Sequence, residues 1–422
     1  MGKNSMGRQE SDMKFQCEQC KSILTSGTVT DGAKVTCPVC GAETVCRPYG
    51  ASSRLCGVAA SDGKPCADEN PAGSIHAKMA SAIGIEKLKG FSLSDLFSEV
   101  FSKHSRAEVE NYFTIGTEKS TPDILDVDAS WPKPWLFTRM IIASLALYFL
   151  MWFGWKMWAN SKLLPGLMLI GSFAIPISTL VLFVELNVRR NVSLYMVVRL
   201  AFLGGIFSLL ITHFLPVTIA FLSPLFGNWS VYLGASVAGP LEESAKVLAM
   251  VAVASAAKYR YKLNGLLVGA AVGTGFSAFE SAGYAFDIII AGVSAGVGVD
   301  AVNDMVYNIN MRGLMSPFTH IVWSAIAGCA LWRVINGQKF KWRMLCDEKF
   351  IRLLLVPVIL HMIWNSPFQL PYFGTYIILG FVGWFVCLSL VQEGLHEIVE
   401  EQKESYKISM ERMGSPTEGV VS

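Results

Sequence analysis

SVAGPLEESAKVLAMVAVASAA, residues 236–257, decides how this chain is read. Small and apolar residues fill it as they fill a bilayer-crossing helix, yet it holds two adjacent carboxylates, Glu242 and Glu243, with Lys246 a turn later. One ionisable side chain at mid-membrane costs roughly 2.5–3.5 kcal/mol on insertion scales, so a tandem pair requires a compensating role. Intramembrane acids and histidines line substrate paths, proton relays and catalytic sites. The pair is a functional signal if other segments bring matching polar groups to the same depth.

The surrounding chain supports a membrane reading. Its 422 residues are 52% hydrophobic and 16% charged, with mean hydropathy +0.43, too apolar for a soluble protein of this size. The excess begins after residue 134. Apolar windows of about 20 residues predict about eight spans. They lie near 136–155, 163–185, 193–212, 234–257, 264–292, 316–335, 351–367 and 373–392. Residues 213–228 are apolar but broken by proline, and read as a re-entrant or surface piece. The expected fold class is an all-α polytopic membrane protein preceded by a small cytosolic zinc-ribbon (β) head. The expected domains are a zinc ribbon at 1–50, a linker with an amphipathic helix at 51–133, a transmembrane domain at 134–393 and a cytosolic tail at 394–422. A net charge of +2 implies no nucleic-acid partner. The first 70 residues contain no apolar signal segment, so the head is expected in the cytosol.

Of ten cysteines, seven fall at or before Cys66. Cys17-Glu-Gln-Cys20 and Cys37-Pro-Val-Cys40 are two thiolate pairs suited to a tetrahedral structural zinc with Zn–S near ~2.3 Å. The intervening KSILTSGTVTDGAKVT predicts a β-hairpin turning at Asp31-Gly32. A structural knuckle lets a short head fold without a core; docking of a substrate or partner is the alternative. Redox chemistry would need a βαβ setting that this segment lacks. Cys46, Cys56 and Cys66 match no metal spacing. Residues 47–75 read as linker, and SLSDLFSEVFSKHS (92–105) predicts an amphipathic helix packed within the head. SWPKPW (130–135) leads into the first span.

Loop charges orient the spans. Loops after the second, fourth and sixth carry Arg189, Arg190 and Arg199, then Lys258, Arg260 and Lys262, then Arg333, Lys339, Lys341, Arg343, Lys349 and Arg352. The remaining loops carry only Lys156, Lys162 and Arg312. The positive-inside rule therefore puts both termini in the cytosol, where reduced cysteines suit a zinc site. At ~1.5 Å per residue, Glu242 and Glu243 lie roughly two turns below the outer end of their span. Glu280 lies about 17 residues into the fifth span, again in the outer half. His320 opens the sixth span, and His361 with Asn365 comes late in the seventh. Four helices thus bring acids, histidines and an amide to one layer.

Each residue has a bland reading. Glu242 and Glu243 with Lys246 could form a packing ion pair. His320 could be an interfacial histidine, and His361 with Asn365 an interhelical hydrogen-bond pair. Agreement in depth weighs against all three together. Glu185 and Asp287 are read as interfacial residues and left outside the site. Gly265, Gly269, Gly273 and Gly275 give the fifth span a small-residue face that permits close helix approach near Glu280.

At these residues the chain resembles the PrsW family of intramembrane proteases, relatives of the CAAX-processing membrane proteases. Glu242-Glu243-Ser244-Ala245-Lys246 matches Glu-Glu-x-x-Lys, Phe276 to Glu280 matches Phe-x-x-x-Glu, His320 matches a later-helix histidine, and His361 to Asn365 matches His-x-x-x-Asn. The resemblance covers about residues 195–392 and leaves the head unexplained. CAAX relatives carry histidine where this chain has Glu280, so its role does not transfer from them. The resemblance implies an intramembrane endopeptidase acting on membrane-anchored proteins in the outer half of the bilayer, with Glu242 as general base activating water. In that reading Glu243 with Lys246 orients the site, His361 and Asn365 donate to the oxyanion, His320 polarises water or protonates the leaving amine, and Glu280 positions a histidine. Glutamate and histidine are also metal ligands, so a metal-assisted variant is the alternative; the absence of HExxH weighs against it. Two other classes fit parts of the sequence. An ion-coupled transporter would also carry buried acids, although no internal repeat is visible and the polar set lies off the midplane. A non-enzymatic membrane receptor would use the zinc ribbon to bind a cytosolic partner.

Overall fold

The chain divides into two units, Met1–Asp68 and Glu69–Ser422. The computed structural model describes four short strands in the first unit, and in the second residues 97–105, 108, 114–117, 119–222, 238–253, 259–367 and 370–414.

In the first unit β1 (Met13–Gln16) pairs antiparallel with β2 (Ile23–Ser26), and β3 (Lys34–Thr36) with β4 (Glu43–Val45). The register runs Met13 to Ser26 and Lys34 to Val45. This corrects the expected hairpin. The strands flanking Asp31-Gly32 do not pair with each other; each bonds to the neighbour across a CxxC-bearing connector. The proposed zinc ligands Cys17, Cys20, Cys37 and Cys40 lie outside the described residues.

The second unit is a bundle of α-helices. α1 (Leu136–Trp158) and α2 (Leu164–Leu186) form an antiparallel hairpin, reversed at Ala159, whose left-handed φ of 48° closes α1 with an N–H donated to Trp155 O. α2 returns the favour at the other end. The buried Glu185 carboxylate accepts from the backbone N–H groups of Trp135, Leu136 and Phe137 at 2.9, 2.9 and 3.0 Å. An anion thus satisfies the unpaired donors at the α1 N-terminus. The same end of α1 holds the preceding segment, because Arg139 Nε donates to Val100 O at 2.9 Å and its Nη2 to Ser102 O. Those carbonyls would be needed inside a helix, and the helix expected at 92–105 is replaced by turns in its described part, 97–105.

α3 (Leu194–Arg199) passes through a π-helical turn, Leu200–Gly204, into α4 (Gly205–Leu222), which runs on through Pro216. The start of the segment expected to be re-entrant is therefore helical. α5 (Ala238–Val253) carries the glutamate pair. α6 (Lys262–Ser294) is the central helix, followed by α7 (Gly298–Met315), a 3-10 turn at Ser316–Phe318 and α8 (His320–Ile335). α9 (Glu348–Trp364) and α10 (Gly374–Gly414) complete the bundle.

α6 and α8 form the tightest pair. A Cβ at Gly269 would run into Ser324 O and one at Gly273 into His320 O, so glycine is what lets the backbones meet. Around this seam Leu266, Leu267, Val272, Ile321, Trp323, Ile326 and Trp332 form the buried core. α10 extends well past the expected end of its span. Its polar half is tied to the loop-charge face by Lys262–Glu393 at 3.1 Å, by Arg333–Glu393, and by Gln402 Nε2 donating to Ile124 O and Val127 O at 2.9 and 2.7 Å.

Six helical segments are long and apolar enough to cross a membrane: Leu136–Trp158, Ser161–Leu186, Leu194–Phe214, Lys262–Ser294, Gly298–Ile335 and Pro371–Ser409. The chain is a multi-pass membrane protein, and among the described residues six of the eight expected spans meet that length and composition. α9 has 17 residues and rises about 26 Å, a little less than a hydrocarbon core of ~30 Å. α5 is described over Ala238–Val253, and the residues on either side of it lie outside the described residues. These two are the helices that carry Glu242, Glu243 and His361. α9 buries His361 and exposes Ile351, Leu355 and Ile359.

Candidate active site

α5 supplies the first three groups. Glu243 and Lys246 are one turn apart, and Lys246 Nζ lies 2.7 Å from Glu243 Oε1 and 3.6 Å from Glu242 Oε2. Neither Glu243 nor Lys246 has any exposed surface. The ammonium also lies 4.2 Å from the centre of the Phe276 ring on α6. Burial of this kind is tolerated only when charges are paired and hydrogen-bonded, and each ion here has an opposite partner.

Two histidines enter from either side. His320 opens α8 immediately after a non-helical residue, Thr319, where φ is −124° and ψ is −116°. Its Nδ1 sits 3.0 Å from Lys246 Nζ and its Nε2 sits 3.3 Å from Glu280 Oε2 on α6. An ammonium can only donate, so Nδ1 accepts and the ring proton lies on Nε2, facing Glu280. His361, one turn from the end of α9, lies 3.0 Å through Nδ1 from Glu243 Oε1. A carboxylate accepts, so that proton is on Nδ1 and Nε2 is bare. Trp323 walls the site, its ring 4.8 Å from that of His361 and 5.7 Å from that of His320.

Two ring nitrogens face one oxygen, and one of them, His320 Nδ1, also accepts from Lys246 Nζ. His320 Nδ1 and His361 Nε2 each lie 3.8 Å from Glu242 Oε2, which is buried and has no hydrogen-bond partner. One ligand atom from each of Glu242, His320 and His361 falls within 4.8 Å of the others. Each histidine is backed by a carboxylate on its far nitrogen, Glu280 for His320 and Glu243 for His361. That is the outer arrangement that fixes the tautomer of metal-binding imidazoles. An orphaned carboxylate oxygen with two imidazole nitrogens also matches the three-ligand donor sets of catalytic zinc sites. The residues therefore fit a divalent metal ion, which revises the sequence expectation against one: the ligands are compact in space without an HExxH repeat.

Residues 193–391 match the family model of PrsW family intramembrane metalloproteases. This part of the chain is a PrsW-family domain. No curated protein and no solved structure matches the chain. The PrsW domain contains all of Glu242, Glu243, Glu280, His320, His361 and Asn365. The structure brings the first five together. Asn365 sits half-buried at the end of α9, its backbone N–H donating to His361 O at 3.1 Å; the contacts described for the cluster run through the other residues and Lys246.

Sequence reasoning missed α7 and with it Arg312, which it assigned to a loop. Arg312 Nη2 pairs with Glu280 Oε2, and its Nε donates to Ser281 Oγ at 3.0 Å. The signal was present in GVDAVNDMVYNINMRGLM: its buried residues Ala301, Val302, Met305, Val306 and Ile309 recur at helical spacing.

Proposed function

We propose that the protein is an intramembrane endopeptidase that hydrolyses peptide bonds of membrane-anchored proteins at the Glu242–His320–His361 centre. The observation that carries this is the convergence of one ligand atom each from Glu242, His320 and His361 within 4.8 Å, the Glu242 oxygen being buried and without a hydrogen bond.

Glu242, His320 and His361 would hold the metal. When bound, such an ion polarises a carbonyl and lowers the pKa of water, supplying Lewis acidity at neutral pH. Glu242 is the acid we assign to proton transfer. Glu243 is fully enclosed and committed to Lys246 and His361, and Glu280 to His320 and Arg312. A carboxylate has two oxygens, so ligation through one leaves the other to accept the proton of the attacking water. Glu243 orients His361, and Glu280 orients His320. Lys246 sets the charge of the pair and holds His320 Nδ1 as an unprotonated acceptor, a hydrogen bond that a metal on that nitrogen would replace. The role first assigned to His361 and Asn365, donation to an oxyanion, fits poorly with a His361 proton that already faces Glu243.

The expected orientation, both termini cytosolic, puts the centre in the outer half of the bilayer. Glu280 lies about 27 Å along α6 from its Lys262 end, counted at ~1.5 Å per residue. The four cysteines of the head keep their reading as a structural zinc ribbon, supported by strand pairs that flank each CxxC. The decisive comparison uses membranes from cells carrying wild type or Glu242→Gln, with and without a zinc chelator. Fragments of membrane proteins are expected in wild type alone, and to vanish on chelation. Identical fragment patterns in wild type and Glu242→Gln would sink the protease reading.

A further inference from the structure

We propose that Arg312 is a positioning residue for this centre, holding Glu280 so that Glu280 holds His320. The inference rests on the proposed function and extends it to a residue in α7 that none of the sequence motifs contains.

Arg312 is bound at three points on one face of α6. Its Nη2 pairs with Glu280 Oε2, its Nε donates to Ser281 Oγ at 3.0 Å, and its guanidinium carbon lies 4.4 Å from the centre of the Tyr284 ring. A planar fork fixed by two hydrogen bonds and a ring face has one orientation, which a lysine cannot reproduce. The Glu280 oxygen it grips is the one that lies 3.3 Å from His320 Nε2. Arg312, Glu280 and His320 thus form a chain that ends on Nδ1, one of the three donor atoms of the centre. Arg312 also joins α7 to α6 shortly before the helical path is interrupted at Thr319, so it constrains the backbone that delivers His320 as well as its ring.

Loss of an outer partner of this kind typically weakens metal affinity or activity by about 10–100-fold. The test is zinc binding by the purified full chain, measured by competition with a chromogenic chelator. Glu242→Gln reports the zinc held elsewhere in the chain, including the head cysteines, and is subtracted. Arg312→Met is expected to bind the remaining zinc about 10–100-fold more weakly. Arg312→Lys should fall between Arg312→Met and wild type. In a Glu280→Gln background the Arg312→Met change should have no further effect, because both act through the same contact. Wild-type zinc affinity in Arg312→Met, or a lowered melting temperature without any change in affinity, would overturn the proposal. If Arg312→Met does not fold, Arg312→Lys decides alone: weakened zinc binding supports the proposal and wild-type affinity overturns it. Equal zinc binding by wild type and Glu242→Gln would instead remove the metal centre itself, a failure visible before any Arg312 variant is made.

Discussion

Lys246 shows how one buried ion sets the roles of its neighbours. It sits 2.7 Å from Glu243 and 3.6 Å from Glu242, so the two acids that look equivalent in sequence are unequal in space. Glu243 takes the closer contact and the His361 proton through Oε1; each acid keeps an Oε2 without a hydrogen bond, and that of Glu242 lies 3.8 Å from both histidines. Removing one partner of a buried pair leaves the other charged and unsatisfied, at a cost of about 3–5 kcal/mol. Lys246→Met is therefore expected to lower the melting temperature of the detergent-solubilised protein strongly, and an unchanged melting temperature would contradict the pairing. Which glutamate did what was not legible from EESAK. The sequence places Lys246 one turn from both acids, and only the approach of His361 from α9 separates them.

At the scale of elements, the site depends on how closely α6 and α8 pack. Gly269 faces the backbone of Ser324, and Gly273 faces the carbonyl of His320 itself. Overpacking such a seam costs typically about 1–3 kcal/mol and shifts backbones. Gly269→Ala should lower thermal stability by about that amount and also reduce Glu242-dependent cleavage, because the displaced helix carries His320. Full cleavage at normal stability would mean the seam has room to spare. The small-residue face of α6 was readable from its glycine spacing. The end of α9 at Trp364 was not: apolar windows register composition, and the apolar residues that follow extended the expected span to 367. α7 was missed for the converse reason. Its amphipathic pattern falls below a hydropathy threshold, although it packs against α6 and α2 and supplies Arg312.

Across the whole molecule, basic residues gather at one end, where Arg333 and Lys262 meet Glu393 and where Asn264 bonds Asn187 and Asn191 at 3.2 and 2.6 Å. The opposite end carries the α6–α7 connection near Ser294. If the basic end faces the cytosol, Ser294→Cys should react in intact cells with a membrane-impermeant maleimide, while the wild-type cysteines, Cys346 among them, react only after permeabilisation. The reverse pattern would invert the topology and place the site in the inner half. The sequence alone determined that this is a multi-pass membrane protein and singled out the acids and histidines that the fold brings together. Both follow from the cost of charge in hydrocarbon, which is visible one residue at a time. Tertiary structure decided the partners: which nitrogen of each histidine faces Glu242, which acid Lys246 holds closer, and that Arg312 stands behind Glu280. Those depend on distances between helices far apart in the chain, and spacing within a helix carries no record of them.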